Sequence, residues 1–195
     1  MKVQTKIEFQ GNKIVLIQNI YIKNSKIRID TIGAFDEVLM SLLIEGEKIY
    51  VINYQKNLIY IFSNEEQFYK TFEIYLPIFN LPYLITLSTE SLQTYKTLND
   101  NFFVLANGDK IKVSRDRDSC TIRQIEILSK KSGNLLAIYR DYSLFDQMPL
   151  YHQVFIRNDQ NNLNISISVI KTEKKDIPEQ ILKPDNFKNF GYVRQ

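Results

Sequence analysis

The chain has 195 residues, 44% of them hydrophobic and 24% charged, enough apolar material for a buried core and too much for a disordered chain. The net charge of +3 comes from basic residues scattered without a basic helix, which makes no case for nucleic acid. A single cysteine excludes an intramolecular disulfide, and no run approaches the ~20 apolar residues of a membrane-spanning helix.

Residues 1–6 lack the apolar core of a signal peptide, so either the protein is cytosolic or a signal has been cut away. Residues 2–10 form a strand with Val3, Thr5, Ile7 and Phe9 on one face. Gly11 and Asn12 signal a turn. Residues 13–23 carry apolar side chains on both faces, Ile14, Leu16, Ile20 and Ile22 against Val15, Ile17 and Tyr21. Asn24 and Ser25 turn the chain into residues 26–31, whose alternation predicts a strand with one wet face. Gly33 interrupts the alternation and permits the positive φ of a tight turn. Phe35 follows where a polar residue is preferred, so its ring either folds back onto the sheet or projects into solvent.

Two strands, 38–44 and 48–54, meet at a turn over 45–47, and residues 58–62 return after a second turn. Val38, Met40, Leu42 and Ile44 fall on one face, Leu39 and Leu43 on the other. A sheet with one dry face alternates cleanly. Two apolar faces mean that both are covered, or that one lines an apolar cavity.

The period then changes. Ser63 and Glu66 have capping-box spacing, and Phe68, Phe72 and Tyr75 recur at helical spacing. After Leu76 and Pro77, a second short helix is expected from Leu81 or Pro82, with Asn80 as its N-cap. This helical insertion spans about 63–98 and is available to cover one mouth of the sheet.

Residues 102–106 and 110–114 flank Asn107 and Gly108, a strong hairpin signal. Arg115, Asp116, Arg117 and Asp118 read as a solvated tip. Strands follow at 121–128 and 135–139 around a turn at 131–134, then a loop over 142–150, then strands at 151–157 and 163–171 around 158–162. In the last strand Leu163, Ile165, Ile167 and Val169 point in, and Asn164, Ser166 and Ser168 out. The tail beyond residue 176 carries Ile177, Ile181, Leu182, Phe187, Phe190 and Tyr192, which are expected to dock on a sheet edge. Roughly twelve strands in one antiparallel series predict a mainly β (α+β) chain, one domain over 1–195, whose long meander must curl.

Little in the chain suggests catalysis. His152 has only Cys120 as another soft ligand, which is not a metal site; packing or surface placement accounts for it, and Cys120 reads as a buried or half-buried thiol. Nucleophile-elbow and glycine-rich phosphate motifs are missing, and Glu45 and Glu47 read as a solvated pair beside a turn glycine. The sequon at Asn164 sits mid-strand and carries no weight. No catalytic residue, cofactor or metal is expected, and the chain is not read as an enzyme.

The order of elements, and several short motifs within it, resembles the bacterial lipoprotein localisation factors of the LolA/LolB type, with LolB-like receptors the nearer match over 26–85. Gly33, Ala34, Phe35 and Asp36 stand at the family's loop of the G-P-L-G kind, with alanine and phenylalanine in place of its proline and leucine. Ser63, Asn64, Glu65 and Glu66 open the first helix, Leu76 and Pro77 follow, and Leu81, Pro82, Tyr83, Leu84 and Ile85 match the L-x-Y-W-I helix without its tryptophan. Residues 133–138 are closer to the LolA pattern. The resemblance implies a single curved antiparallel sheet forming an open half-barrel, closed by a helical lid. It also implies acyl chains of lipoproteins or lipids as ligands, held by Met40, Leu42 and Ile44 with lid residues Phe68, Phe72, Leu84 and Ile85. Phe35 takes the place of the family's membrane-touching loop leucine. The implied setting is the periplasm, facing or anchored to the outer membrane, with a periplasmic carrier protein as a further partner. The alternative is an interaction or scaffold module whose interior Phe9, Tyr21, Tyr50, Tyr54, Tyr60 and Phe62 fill by themselves.

Overall fold

The computed structural model describes residues 1–23, 26–46, 48–72, 81–87, 94–99, 101–105, 108–119, 121–129, 133–145, 148–183 and 190–194. Six strands come first: β1 (Lys2–Phe9), β2 (Asn12–Lys23), β3 (Lys26–Ile32), β4 (Val38–Glu45), β5 (Lys48–Asn53) and β6 (Leu58–Phe62). Two helices follow, α1 (Glu65–Phe72) and α2 (Leu81–Thr86). The chain then returns to strands: β7 (Thr94–Asn99), β8 (Phe102–Leu105), β9 (Lys110–Arg115), β10 (Ile122–Leu128), β11 (Leu135–Phe145), β12 (Met148–Asn158), β13 (Leu163–Lys171) and β14 (Gly191–Arg194). They join one sheet in the order β14, β6, β5, β4, β3, β2, β1, β13, β12, β11, β10, β9, β8, β7, with β14 and β7 as unjoined ends. Short hairpin connections make β2 to β6 and β7 to β13 antiparallel to their chain neighbours, whereas β14 arrives from a long tail and lies parallel to β6. The fold is mainly β, with one large open sheet and two short helices inserted mid-chain.

Two elements exceed the sequence expectation. Residues 94–99 are strand rather than the end of a helical insertion, and the tail adds β14 to the sheet edge. The expected loop over 142–150 is instead the end of a long hairpin, since Tyr142 pairs with Tyr151 and Phe145 with Met148. The turn after β1 centres on Gln10 and Gly11, both at positive φ, one residue earlier than the Gly11 and Asn12 signal suggests. Asn24, Ser25, Glu47, Tyr75, Leu76, Pro77, Asn80, Asn107, Cys120, residues 131 and 132 and Phe187 lie outside the described residues.

The chain divides into two compact units. One comprises Met1–Val3, Leu16–Ser91 and Lys171–Gln195; the other comprises Gln4–Val15 and Leu92–Ile170. In the second unit the inward face is regular: Ile111, Ile125, Ile127, Leu135 and Ala137 are fully buried in cross-strand register. Along β13 the alternation weakens, because only Leu163 is fully buried while Ile165, Ile167 and Val169 stay half-exposed alongside Ser166 and Ser168. The charged loop after β9 is a solvated tip closed by Asp116, whose carboxylate accepts from the amides of Asp118 and Ser119 at 3.1 Å. Those amide hydrogen bonds, Ser119 first, hold the Asp116 carboxyl below its ordinary value.

Candidate functional site

In the first unit, strand register places Ile27, Ile44, Ile49 and Phe62 in one row across β3, β4, β5 and β6. Ile29, Leu42, Val51 and Tyr60 form the next row, and Thr31 and Met40 stand in a third. All these side chains share a face, because cross-strand partners do and residues two apart along a strand do. Along β4 burial falls from row to row, although Thr31 beside Met40 and Val51 beside Leu42 are themselves buried. Ile44 is 1% exposed, Leu42 is half-buried and Met40 is 38% exposed.

Helix α1 covers this face at β6. Its start is one residue later than the capping-box reading of Ser63 and Glu66. Asn64 is the cap, its side-chain oxygen accepting from the Gln67 amide at 3.0 Å, and the Gln67 side chain accepts from the Ser63 amide at 3.0 Å. Glu66 instead pairs with Lys70 one turn on, at 2.9 Å. So capped, the helix sets Phe68 and Phe72 against the sheet. Phe62 meets Phe68 at 5.5 Å and Phe72 at 5.7 Å between ring centroids, and Tyr60 meets Phe72 at 6.2 Å. Edge-on aromatic contacts of this kind add to simple burial. In α2, Leu84 is fully buried and Ile85 half-buried.

The opposite face of the same strands is covered by other means. Leu43, Tyr50, Ile52 and Ile59 form a buried cluster, joined by Tyr54, Ile61 and Phe190 of the tail. Its polar residues were expected to be wet, yet the side chains of Arg28 and Asp30 are only 13% and 6% exposed. Arg28 donates from Nε to Asp30 at 2.6 Å and from Nη2 to the Tyr54 hydroxyl at 2.9 Å. Its Nη1 donates at 2.8 Å to the carbonyl oxygen of Ile181, in a 3-10 turn at Glu179–Leu182. Lys23 similarly donates to the Ile177 carbonyl oxygen at 2.9 Å. The tail is thus strapped across this face by two cations reaching its backbone. The tail thus packs one face of these strands, α1 covers the other at β6, and along β4 that second face is exposed at Met40.

The β3–β4 loop is built around Glu37. Its carboxylate accepts from the Phe35 amide at 2.8 Å, and its backbone carbonyl accepts from the Gly33 amide at 2.8 Å. The positive φ of this loop belongs to Asp36, at 59°, and not to Gly33. Gly33 is instead a matter of space, since a Cβ there would lie 2.3 Å from Glu37 Oε1. With its backbone so tied, the loop holds Phe35 in solvent, 90% exposed.

Elsewhere, His152 accepts or donates through Nε2 to the Ser143 hydroxyl at 2.8 Å on the exposed β11–β12 hairpin. Sequence spacing gave no sign of this pair. Among the described residues no carboxylate bonds the other ring nitrogen, and no three His, Cys, Asp or Glu side chains converge as metal ligands. A cavity of about 290 Å³ lies in the second unit beside Leu136, Ile138 and Phe155, and one of about 470 Å³ lies in the first unit beneath the tail. Neither includes Met40, Leu42, Ile44, Phe68, Phe72, Leu84 or Ile85. No helix among the described residues is long and apolar enough to cross a membrane.

No protein-family model matches the chain, and comparison with curated proteins finds no match. Solved structures do match. A DUF1329 family protein from Desulfovibrio piger superposes with a TM-score of 0.67 at 10% identity, over 96% of this chain and 90% of that one. A LolA superfamily protein from Nitrosomonas europaea gives 0.66 at 8% identity, over 95% and 89%. A domain from Vibrio parahaemolyticus described as an outer membrane lipoprotein-sorting protein gives 0.60 at 11% identity, over 96% and 90%. The fold is accordingly of the LolA/LolB type.

Proposed function

We propose that the protein binds acyl chains of lipoproteins or lipids along the Ile44, Leu42 and Met40 stripe and passes them on without covalent chemistry. The observation that carries this reading is the graded burial of that stripe along β4, from Ile44 at 1% exposed through half-buried Leu42 to exposed Met40. An acyl chain laid along the open rows would extend a core that Phe62, Phe68 and Phe72 begin. Each methylene taken from water contributes about 0.8 kcal/mol, so a short length of chain supplies useful affinity. The LolA/LolB-type fold supports the same reading, and with it a periplasmic setting, a carrier protein as donor and the outer-membrane surface as destination. Phe35 then serves as the membrane-contact tip, Leu84 and Ile85 as part of the movable cover.

Displacement of a fluorescent fatty acid tests it. Met40→Glu and Leu42→Glu are expected to weaken binding at least ten-fold while the protein stays folded, since a carboxylate at the open end keeps its water and repels an alkyl chain. Unchanged binding in both variants would sink the proposal. The competing reading, a self-filled interaction module, draws on Tyr60, Phe62, Phe68 and Phe72 already occupying the covered end. It predicts no saturable fatty-acid binding by the wild-type protein.

A further inference from the structure

The half-open cavity of about 470 Å³ in the first unit is lined by the tail between Lys171 and Ile181, by Asn19, Ile20 and Tyr21 of β2, and by Met1 and Lys2. Its size is that of a small-molecule site. It contains none of the residues assigned above to acyl-chain binding, so it is a separate feature with its own chemistry.

That chemistry is two-sided. Ile177, Pro178 and Ile181 supply an apolar wall, with Tyr21 beside them. Lys2, Lys171 and Lys175 supply cations, and Glu173 and Asp176 supply carboxylates. The carboxylates are already engaged. Glu173 lies between Lys171 and Lys175, whose hydrogen bonds and charges hold its carboxyl down at about 2, so it stays ionised at neutral pH. Asp176 is met at 3.3 Å by Lys23, from β2. Among the described residues Lys2 reaches only the exposed Asp36, at 3.8 Å, a distance and setting in which a pair contributes little. Counting Lys23, four lysine ammonium groups face these two carboxylates and the distant Asp36, so the excess charge is positive.

An apolar wall beside surplus ammonium groups complements a molecule with a short apolar body and an anionic head. We propose that this cavity binds a small amphiphilic anion of the organic-phosphate class, its head on Lys2, Lys171 and Lys175 and its body against Tyr21, Ile177 and Ile181. Ammonium groups bind phosphate as point charges, and the apolar wall adds the selectivity that bare surface lysines lack.

Methyl-resolved NMR titration with octyl phosphate, and with octanol as the uncharged match, tests the proposal. Octyl phosphate is expected to shift the methyl signals of Ile177 and Ile181 saturably, with octanol at least ten-fold weaker. Lys2→Glu combined with Lys175→Glu is expected to weaken octyl phosphate at least ten-fold. Met40→Glu should leave the Ile177 and Ile181 shifts unchanged, which separates this site from the acyl-chain stripe. Equal binding of octanol, shifts confined to Met40 and Leu42, or indifference to the lysine reversals would each overturn it. Because the octanol comparison uses the wild-type protein, it stands even if the double variant folds poorly. Lysophosphatidate and glycerol 3-phosphate then tell a lipid source of the head from a free one; tighter binding of either supports the site, and binding of neither overturns it.

Discussion

Among single side chains, Phe35 most sharply divides structural from functional explanation. At 90% exposure its ring supports no core, so folding cannot be the reason for its presence. Phe35→Glu is expected to leave the melting temperature within about a degree or two and to weaken binding to phosphatidylglycerol-containing vesicles, since one apolar side chain adds at most ~2–3 kcal/mol of burial. Vesicle binding that survives the change would remove Phe35 from the mechanism. Gly33 acts on the same loop by space rather than by φ. A methyl group there meets the end of the flexible Glu37 side chain, which can swing aside at the cost of its bond to the Phe35 amide. Gly33→Ala should therefore cost only about 1 kcal/mol and show itself as faster hydrogen exchange at Phe35.

Elements here are held by groups that a hydrophobicity pattern ranks low. Helix α1 has eight residues, too short to persist alone, and depends on its Asn64 cap and on Phe62. Asn64→Ala is expected to cost about 1 kcal/mol in chemical unfolding, with Ser63→Ala nearly silent. Strand β3 carries the Arg28 and Asp30 pair into a covered face. Arg28→Leu strands a buried carboxylate, and a loss of about 3–5 kcal/mol is expected. Replacing Asp30 by leucine as well should recover much of that loss, because the pair's attraction offsets a desolvation cost that two apolar residues never incur. A double variant no more stable than the single one would show that the network, rather than the stranded charge, sets the cost.

At the scale of the whole molecule, the tail is a structural member of the first unit. It buries Leu182, packs Phe190 on Tyr54 at 5.8 Å and adds β14 to the edge at β6. Ending the chain after Lys171 would expose the cluster of Leu43, Tyr50, Ile52 and Ile59 and strip Arg28 of its carbonyl partner. At ~1.5–3 kcal/mol for each large apolar side chain returned to water, several kcal/mol are lost. The shortened protein should bind hydrophobic dyes and melt at a clearly lower temperature. A melting curve unchanged by the truncation would contradict this role for the tail.

Sequence by itself determined what is local. Alternation and turn residues located β1 to β6 and the strands around Gly108, because period and backbone preference act within a few residues. It determined that β4 is apolar on both sides, since side-chain direction in a strand follows parity alone. Tertiary structure decided which cover each side received. Neither α1 nor the tail adjoins β4 in the chain, and only packing brings Phe68 onto Phe62 of one face and Phe190 near the other. It also turned an expected wet face into a buried one, because Arg28 and Asp30 look solvated until the tail crosses them. The cavity beneath the tail was unreadable for the same reason. Tyr21 and Ile181 lie at opposite ends of the sequence, and a cavity between distant segments leaves no periodic trace in either.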